Sequence, residues 1–156
     1  MISPVTEPTD FCAPMVIVPK PNSDEIRICS DYTHINRWVR RENYPLPDVD
    51  YLLAKIGKAR VFSFLDLNSA YWQMELDESS KLLTTFITPF GRFCYNRLPF
   101  GLSSASERYQ RAVNTILSGM KNVSCLQDDV FLFSENEAEH ETLLHSVLSK
   151  LAAADP

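Results

Sequence analysis

Three aspartates carry the chemistry that this sequence could perform: Asp66, and the adjacent pair Asp128-Asp129. Asp66 lies in the run Val61-Phe62-Ser63-Phe64-Leu65-Asp66-Leu67-Asn68-Ser69-Ala70-Tyr71. The pair lies in Cys125-Leu126-Gln127-Asp128-Asp129-Val130-Phe131-Leu132-Phe133. In each run a carboxylate ends or interrupts an apolar, β-forming stretch, where an unpaired charge is costly unless a cation is held there. Two strands offering hard oxygen ligands at one end of a sheet suit Mg²⁺ and a phosphate-bearing substrate. Turn chemistry supplies the plainer alternative. Asp-Asp between apolar runs also makes a hairpin turn, and Asp66 could be a strand-end cap.

The elements that must position these groups show in periodicity and punctuation. The first ten residues are Pro- and Thr-rich and read as extended. Residues 13–19 and 25–30 are β-rich and separated by Pro21-Asn22-Ser23-Asp24, which predicts a hairpin. Asp48 reads as an N-cap, followed by Val49, Leu52, Leu53 and Ile56 at helical spacing and by Gly57 as the stop. A strand over 61–67 carries Asp66. Residues 83–88 and 93–97 form a second pair around Pro89-Phe90-Gly91. Ser104-Ala105-Ser106-Glu107 has the form of a capping box. Its helix presents Ala105, Tyr109, Ala112, Val113, Ile116 and Leu117 on one face and ends at Gly119. A hairpin over 123–134 puts Asp128-Asp129 at its turn. Asn136 and Glu139 open a last helix with the stripe Leu143, Leu144, Val147, Leu148 and Leu151. Strands interleaved with two-faced helices predict an α+β fold, a sheet covered by helices on one side.

Composition bounds the function without choosing it. The 156 residues carry 45% hydrophobic and 22% charged side chains, ordinary for a globular domain. A net charge of −5 is awkward for a nucleic-acid binder, yet Arg37, Arg40 and Arg41 cluster, as do Lys55, Lys58 and Arg60, and Arg92, Arg97, Arg108 and Arg111. Each cluster is also a plain solvated face. Cys12, Cys29, Cys94 and Cys125 have no Cys-x-x-Cys spacing and read as reduced core thiols, not a zinc site or disulfide framework. No signal peptide or long apolar run is present, so a soluble intracellular protein without membrane contact is expected.

Seven segments, in order, resemble the fingers and palm of a reverse transcriptase, of the gypsy-type LTR retrotransposon and retrovirus-like group. They are Ala13-Pro14-Met15-Val16-Ile17-Val18-Pro19-Lys20-Pro21, Ile26-Arg27-Ile28-Cys29-Ser30-Asp31-Tyr32 and Tyr44-Pro45-Leu46-Pro47-Asp48. Then come Phe64 to Gln73, Thr84-Thr85-Phe86-Ile87-Thr88-Pro89-Phe90-Gly91, Leu98-Pro99-Phe100-Gly101-Leu102-Ser103-Ser104-Ala105, and Leu126-Gln127-Asp128-Asp129. Two positions depart from the family pattern. Leu126 stands where Tyr or His is usual, and Ser106 replaces a Pro common at the start of the palm helix.

The resemblance implies a polymerase palm with β-rich fingers: 1–41 and 74–104 as fingers, 42–73 and 105–156 as palm. It implies an RNA-directed DNA polymerase that joins deoxynucleotides to a primer 3′-hydroxyl on an RNA or DNA template. Two Mg²⁺ ions, with Mn²⁺ as a substitute, would be held by Asp66, the Leu67 carbonyl, Asp128 and Asp129. Lys20 and Arg27 would meet the triphosphate, Tyr71 would sit beneath the sugar, and Phe100 would join the nucleotide site. Pro99, Gly101, Arg108, Gln110, Leu126 and Gln127 would lie along template or primer. The thumb, RNase H and integrase regions of a larger polyprotein would complete the machine, in the cytoplasm within a virus-like particle. Alternatives stay open at single positions: Lys20 and Arg27 as edge-strand cations, Tyr71 and Trp72 as core aromatics, Phe100 as a helix staple. Two other whole-chain readings compete. One is a defective or domesticated retroelement remnant that binds nucleic acid without catalysis. The other is a different palm enzyme such as a nucleotidyl cyclase, which would lack the 13–40 segment.

Overall fold

A computed structural model describes residues 1–19, 24, 26–47 and 49–154. In chain order its elements are β1 (Ile2–Pro4), β2 (Ala13–Pro19), β3 (Ile26–Ser30), α1 (Val49–Ile56), β4 (Val61–Asp66) and α2 (Glu78–Leu83). There follow β5 (Phe86–Thr88), β6 (Gly91–Tyr95), α3 (Ala105–Ile116), β7 (Val123–Leu126), β8 (Asp129–Ser134) and α4 (Glu137–Ala153). Lys20, the Arg27 side chain, the expected cap Asp48 and most of the 21–24 turn lie outside the described residues. The chain divides into two compact units, one of 1–41 with 71–105 and one of 42–70 with 106–156.

The first unit is built on a five-stranded sheet in the order β1-β6-β5-β2-β3. All its pairs are antiparallel except β2 with β5, where Ala13 pairs with Phe86 in parallel. Its core gathers Ala13, Tyr32, Ile35, Phe86 and Tyr95, with Phe11, Val39, Phe93 and Leu102 packed around them. Burial drives the Tyr32 phenol well above its ordinary range, and its hydroxyl donates to the Thr84 carbonyl at 3.0 Å. One expectation needs correction here. The strand read over 83–88 begins only at Phe86, because residues 78–83 form α2. Asp77 caps that helix, accepting the Ser80 N–H at 2.9 Å, and a cap of this kind outweighs the β-preference of the residues it precedes.

The second unit holds a three-stranded antiparallel sheet in the order β4-β8-β7. The central strand β8 pairs along its whole length with β4, from Val61↔Ser134 to Asp66↔Asp129. Alternation along β4 decides the two faces. Ser63 and Leu65 point to the covered side, where Val130, Leu132 and Cys125 are buried and α4 packs against β8 and β4. The Ser63 hydroxyl meets His140 Nε2 of α4 at 2.7 Å, and His140 Nδ1 meets the Ser134 hydroxyl at 3.2 Å. Asn136 caps α4 by accepting the Glu139 N–H at 3.0 Å. Phe62, Phe64 and Asp66 occupy the opposite, exposed face of β4. The expected α+β class, a sheet covered by helices on one side, is the one observed.

Candidate active site on the palm hairpin

Asp66 is the last residue of β4, directly opposite Asp129, the first residue of β8. Asp129 is in turn opposite Leu126, the last residue of β7. The turn between β7 and β8 is therefore the two-residue tip Gln127-Asp128, one position earlier than the Asp-Asp turn read from sequence. The Leu67 N–H donates to the Asp128 carbonyl at 2.8 Å and carries the ladder one step past Asp66. Asp66 and Asp128 are exposed and Asp129 is half-buried. Like charges directly opposite on one sheet face destabilise the pair. That arrangement distinguishes this end of the sheet from an ordinary solvated turn, where the two acids would have no charged neighbour across the strand.

Gln127 takes a positive φ of 56°, uncommon for a residue with a side chain, and it does not do so unaided. Its N–H donates to Gln110 Oε1 at 2.8 Å. Its carbonyl accepts from the Cys125 thiol at 3.2 Å. Burial pushes the Cys125 thiol up to about 11, so it stays protonated and able to donate. Gln110 Nε2 donates to the Cys125 carbonyl at 2.7 Å and also to Asn114 Oδ1 at 3.2 Å. Asn114 Nδ2 donates to the Tyr44 hydroxyl at 3.1 Å. The same helix straps down residues 42–44: Glu107 accepts the Asn43 N–H at 3.0 Å, and Glu42 pairs with Arg108 at 2.8 Å and Arg111 at 3.3 Å.

Two expected template contacts are corrected by burial. Gln110 has no exposed surface, so its amide serves the hairpin and not a template. Pro99 is likewise fully buried and offers a strand no side chain. Helical spacing could have revealed Gln110, which precedes buried Val113 by three positions on α3. Arg108 remains largely exposed beside Glu42.

The other expected site residues stand in the first unit. The rings of Tyr71 and Phe100 lie 4.9 Å apart, and Trp72 meets Phe100 at 5.9 Å. Gly101 has φ 96°, and a Cβ there would come within 3.5 Å of the Ser30 carbonyl. Asn36 holds this loop at both sides: its Nδ2 donates to the Gly101 carbonyl at 2.8 Å and its Oδ1 accepts the Ser103 N–H at 2.8 Å. Nothing in the local sequence pattern marks Asn36, because its partners are 65 positions or more away.

The reverse transcriptase (RNA-dependent DNA polymerase) family model matches residues 18–155. The chain belongs to the reverse transcriptase family. Among curated relatives, it is 36% identical over 151 residues to the retrovirus-related Pol polyprotein of transposon 297 from Drosophila melanogaster, covering 93% of this chain and 14% of that protein. It is 37% identical over 144 residues to the transposon Tf2-3 polyprotein of Schizosaccharomyces pombe, covering 91% of this chain and 11% of the other. This reverse transcriptase segment thus spans about a tenth to a seventh of those polyproteins. Solved foamy virus protease–reverse transcriptases share its fold. The native prototype enzyme aligns with TM-score 0.83 at 26% identity over 98% of this chain and 20% of its own. A foamy viral enzyme solved with an RNA/DNA hybrid aligns with TM-score 0.86 at 23% identity over 96% and 20%.

The donor set at the palm hairpin fits divalent magnesium by chemistry: carboxylates and a carbonyl, all hard oxygens, at one end of a sheet. Among the described residues, no three acidic, His or Cys side chains converge tightly enough to ligate one ion. The strand pairing sets the Asp66 and Asp129 backbones directly opposite one another. No helix among the described residues is long and apolar enough to cross a membrane.

Proposed function

We propose that this chain supplies the fingers and palm of an RNA-directed DNA polymerase, with unit 42–70 plus 106–156 as palm and unit 1–41 plus 71–105 as fingers. The observation that carries the reading is the direct cross-strand opposition of Asp66 and Asp129 beside the Asp128 tip, inside a chain of the reverse transcriptase family. Asp66, Asp128, Asp129 and the Leu67 carbonyl would hold the two divalent ions. Those ions, when bound, lower the pKa of the attacking 3′-hydroxyl and neutralise charge on the transferring phosphoryl group and the leaving pyrophosphate.

The chain's own residues do the positioning. Lys20 and Arg27 grip the triphosphate, one as a point charge and the other as a planar fork. Tyr71, its ring tilted against Phe100, excludes a ribose 2′-hydroxyl and so selects deoxynucleotides. Gly101, free of a Cβ, allows close backbone approach to a base. Leu126 and Gln127 contact the primer terminus, where Leu packs but cannot hydrogen-bond. The substrates are a primed RNA or DNA template and deoxynucleoside triphosphates, and the remaining partners are the thumb, RNase H and integrase regions of the polyprotein. The cytoplasmic particle follows from the same reading. Primer extension with Mg²⁺ tests it. Asp66→Asn, which keeps size and polarity but removes a charged ligand, is expected to abolish extension while far-UV circular dichroism is unchanged. Extension at the wild-type rate by folded Asp66→Asn would sink the mechanism.

A further inference from the structure

Gln110 is wholly buried, yet both ends of its amide bond the hairpin that carries Asp128. A polar side chain without solvent access is costly unless each of its groups is satisfied, and here the satisfaction is specific. The oxygen takes the Gln127 N–H and the nitrogen gives to the Cys125 carbonyl, so one planar group brackets the last turn of β7. Between those contacts Gln127 holds φ 56°, at a turn position where glycine is the residue without steric cost. A left-handed residue that carries a side chain persists only where its surroundings over-determine it. Gln110 is the main such surrounding, with the Cys125 thiol on the Gln127 carbonyl as its companion. The next residue along the chain is Asp128.

We infer that Gln110 is a positioning residue for the polymerase reaction: by clamping Gln127 in the left-handed conformation, it sets the direction in which Asp128 leaves the hairpin tip. The inference rests on the polymerase reading for its consequence, but the clamp itself is a property of the folded chain. Asn114 anchors the clamp from behind by accepting from the Gln110 amide and donating to Tyr44. The amide is thereby oriented one way round: exchanging its oxygen and nitrogen would face donor against donor at the Gln127 N–H. The template role is excluded for Gln110 by burial, and a purely apolar packing role is excluded by the pairing of both ends of the amide.

The test uses the full chain, with Mn²⁺ as the probe ion and two readouts: amide hydrogen exchange in the hairpin, and paramagnetic broadening of hairpin amides on Mn²⁺ titration. In Gln110→Met, close in volume but without the amide, exchange at Gln127 should quicken by about tenfold or more, the scale of one lost hydrogen bond. Exchange at Val130, inside the ladder, should not change. Mn²⁺ affinity should fall several-fold. Adding Gln127→Gly, which makes the left-handed turn free of strain, should recover part of that affinity. Unchanged protection of Gln127 in folded Gln110→Met overturns the clamp, and so does failure of Gln127→Gly to recover any affinity. If Gln110→Met does not fold, Gln110→Glu retains the acceptor and should keep Gln127 protected; loss of that protection in folded Gln110→Glu also overturns it. Wild-type chain that binds no Mn²⁺ overturns the polymerase reading alone, since the exchange readout judges the clamp independently.

Discussion

Tyr71 shows how a single side chain can be weighed between packing and selection. Its ring lies tilted against Phe100, and a half-buried aromatic of this sort would serve either role. The two roles separate in the ratio of nucleotide efficiencies. Tyr71→Ala is expected to raise kcat/KM for ribonucleotides relative to the matching deoxynucleotides, since space opens for a 2′-hydroxyl without change at the carboxylates. Steady-state incorporation of paired nucleotides measures this, and an unchanged ratio means that Tyr71 only packs. Lys20→Ala and Arg27→Ala should chiefly raise the nucleotide KM, because contacts to the triphosphate made equally in ground and transition states contribute uniform binding. A fall in kcat at constant KM for both would assign them to the transition state instead.

At the scale of elements, one strand and one short helix invite measurement. Leu132 and Val130 of β8 have no exposed surface, so the central palm strand carries much of the second unit's core. Leu132→Ala should cost about 2–5 kcal/mol, the range for truncating a fully buried leucine, as read by chemical denaturation. A loss below about 1 kcal/mol would show that the sheet relaxes around the gap. Helix α2 offers a pH signature. Asp77 accepts hydrogen bonds from the Ser79 hydroxyl, the Ser80 N–H and the Ser80 hydroxyl, and these hold its carboxyl down to about 2 from 3.8. A folded value below the unfolded one means that the cap's contribution is complete above pH 3.8 and is lost as pH falls through about 2. The Asp77 carboxyl resonance should therefore titrate near 2, and a midpoint near 3.8 would show that the cap does not form in solution.

On the scale of the whole molecule, the polyprotein relatives extend far past the length compared here, with only 14% and 11% of each matched. The chain's net charge of −5 offers little general attraction to phosphate backbones. On the proposed polymerase reading, extending the chain with the segment that follows the matched region in a polyprotein relative is expected to tighten primer–template binding about tenfold or more at fixed salt, through added backbone contacts. Fluorescence anisotropy at matched ionic strength measures the gain, and equal affinity would mean that these two units already grip the duplex.

Much of this protein was written locally. The strand at Val61–Asp66, the opening of α4 at Asn136 and the stop at Gly57 are short-range physics, since each depends on residues within one or two turns of chain. The carboxylates were legible too, because charge at the end of an apolar strand is anomalous wherever the strand later packs. The tertiary structure decided what depends on partners distant in sequence. It opposed Asp66 to Asp129 and moved the turn to Gln127-Asp128, because register is set by the pairing of whole strands. It also turned Gln110 inward and bound the Gly101 loop to Asn36. A hydrogen bond between positions 17 or 65 apart has no periodicity to announce it; only the folded chain brings donor to acceptor.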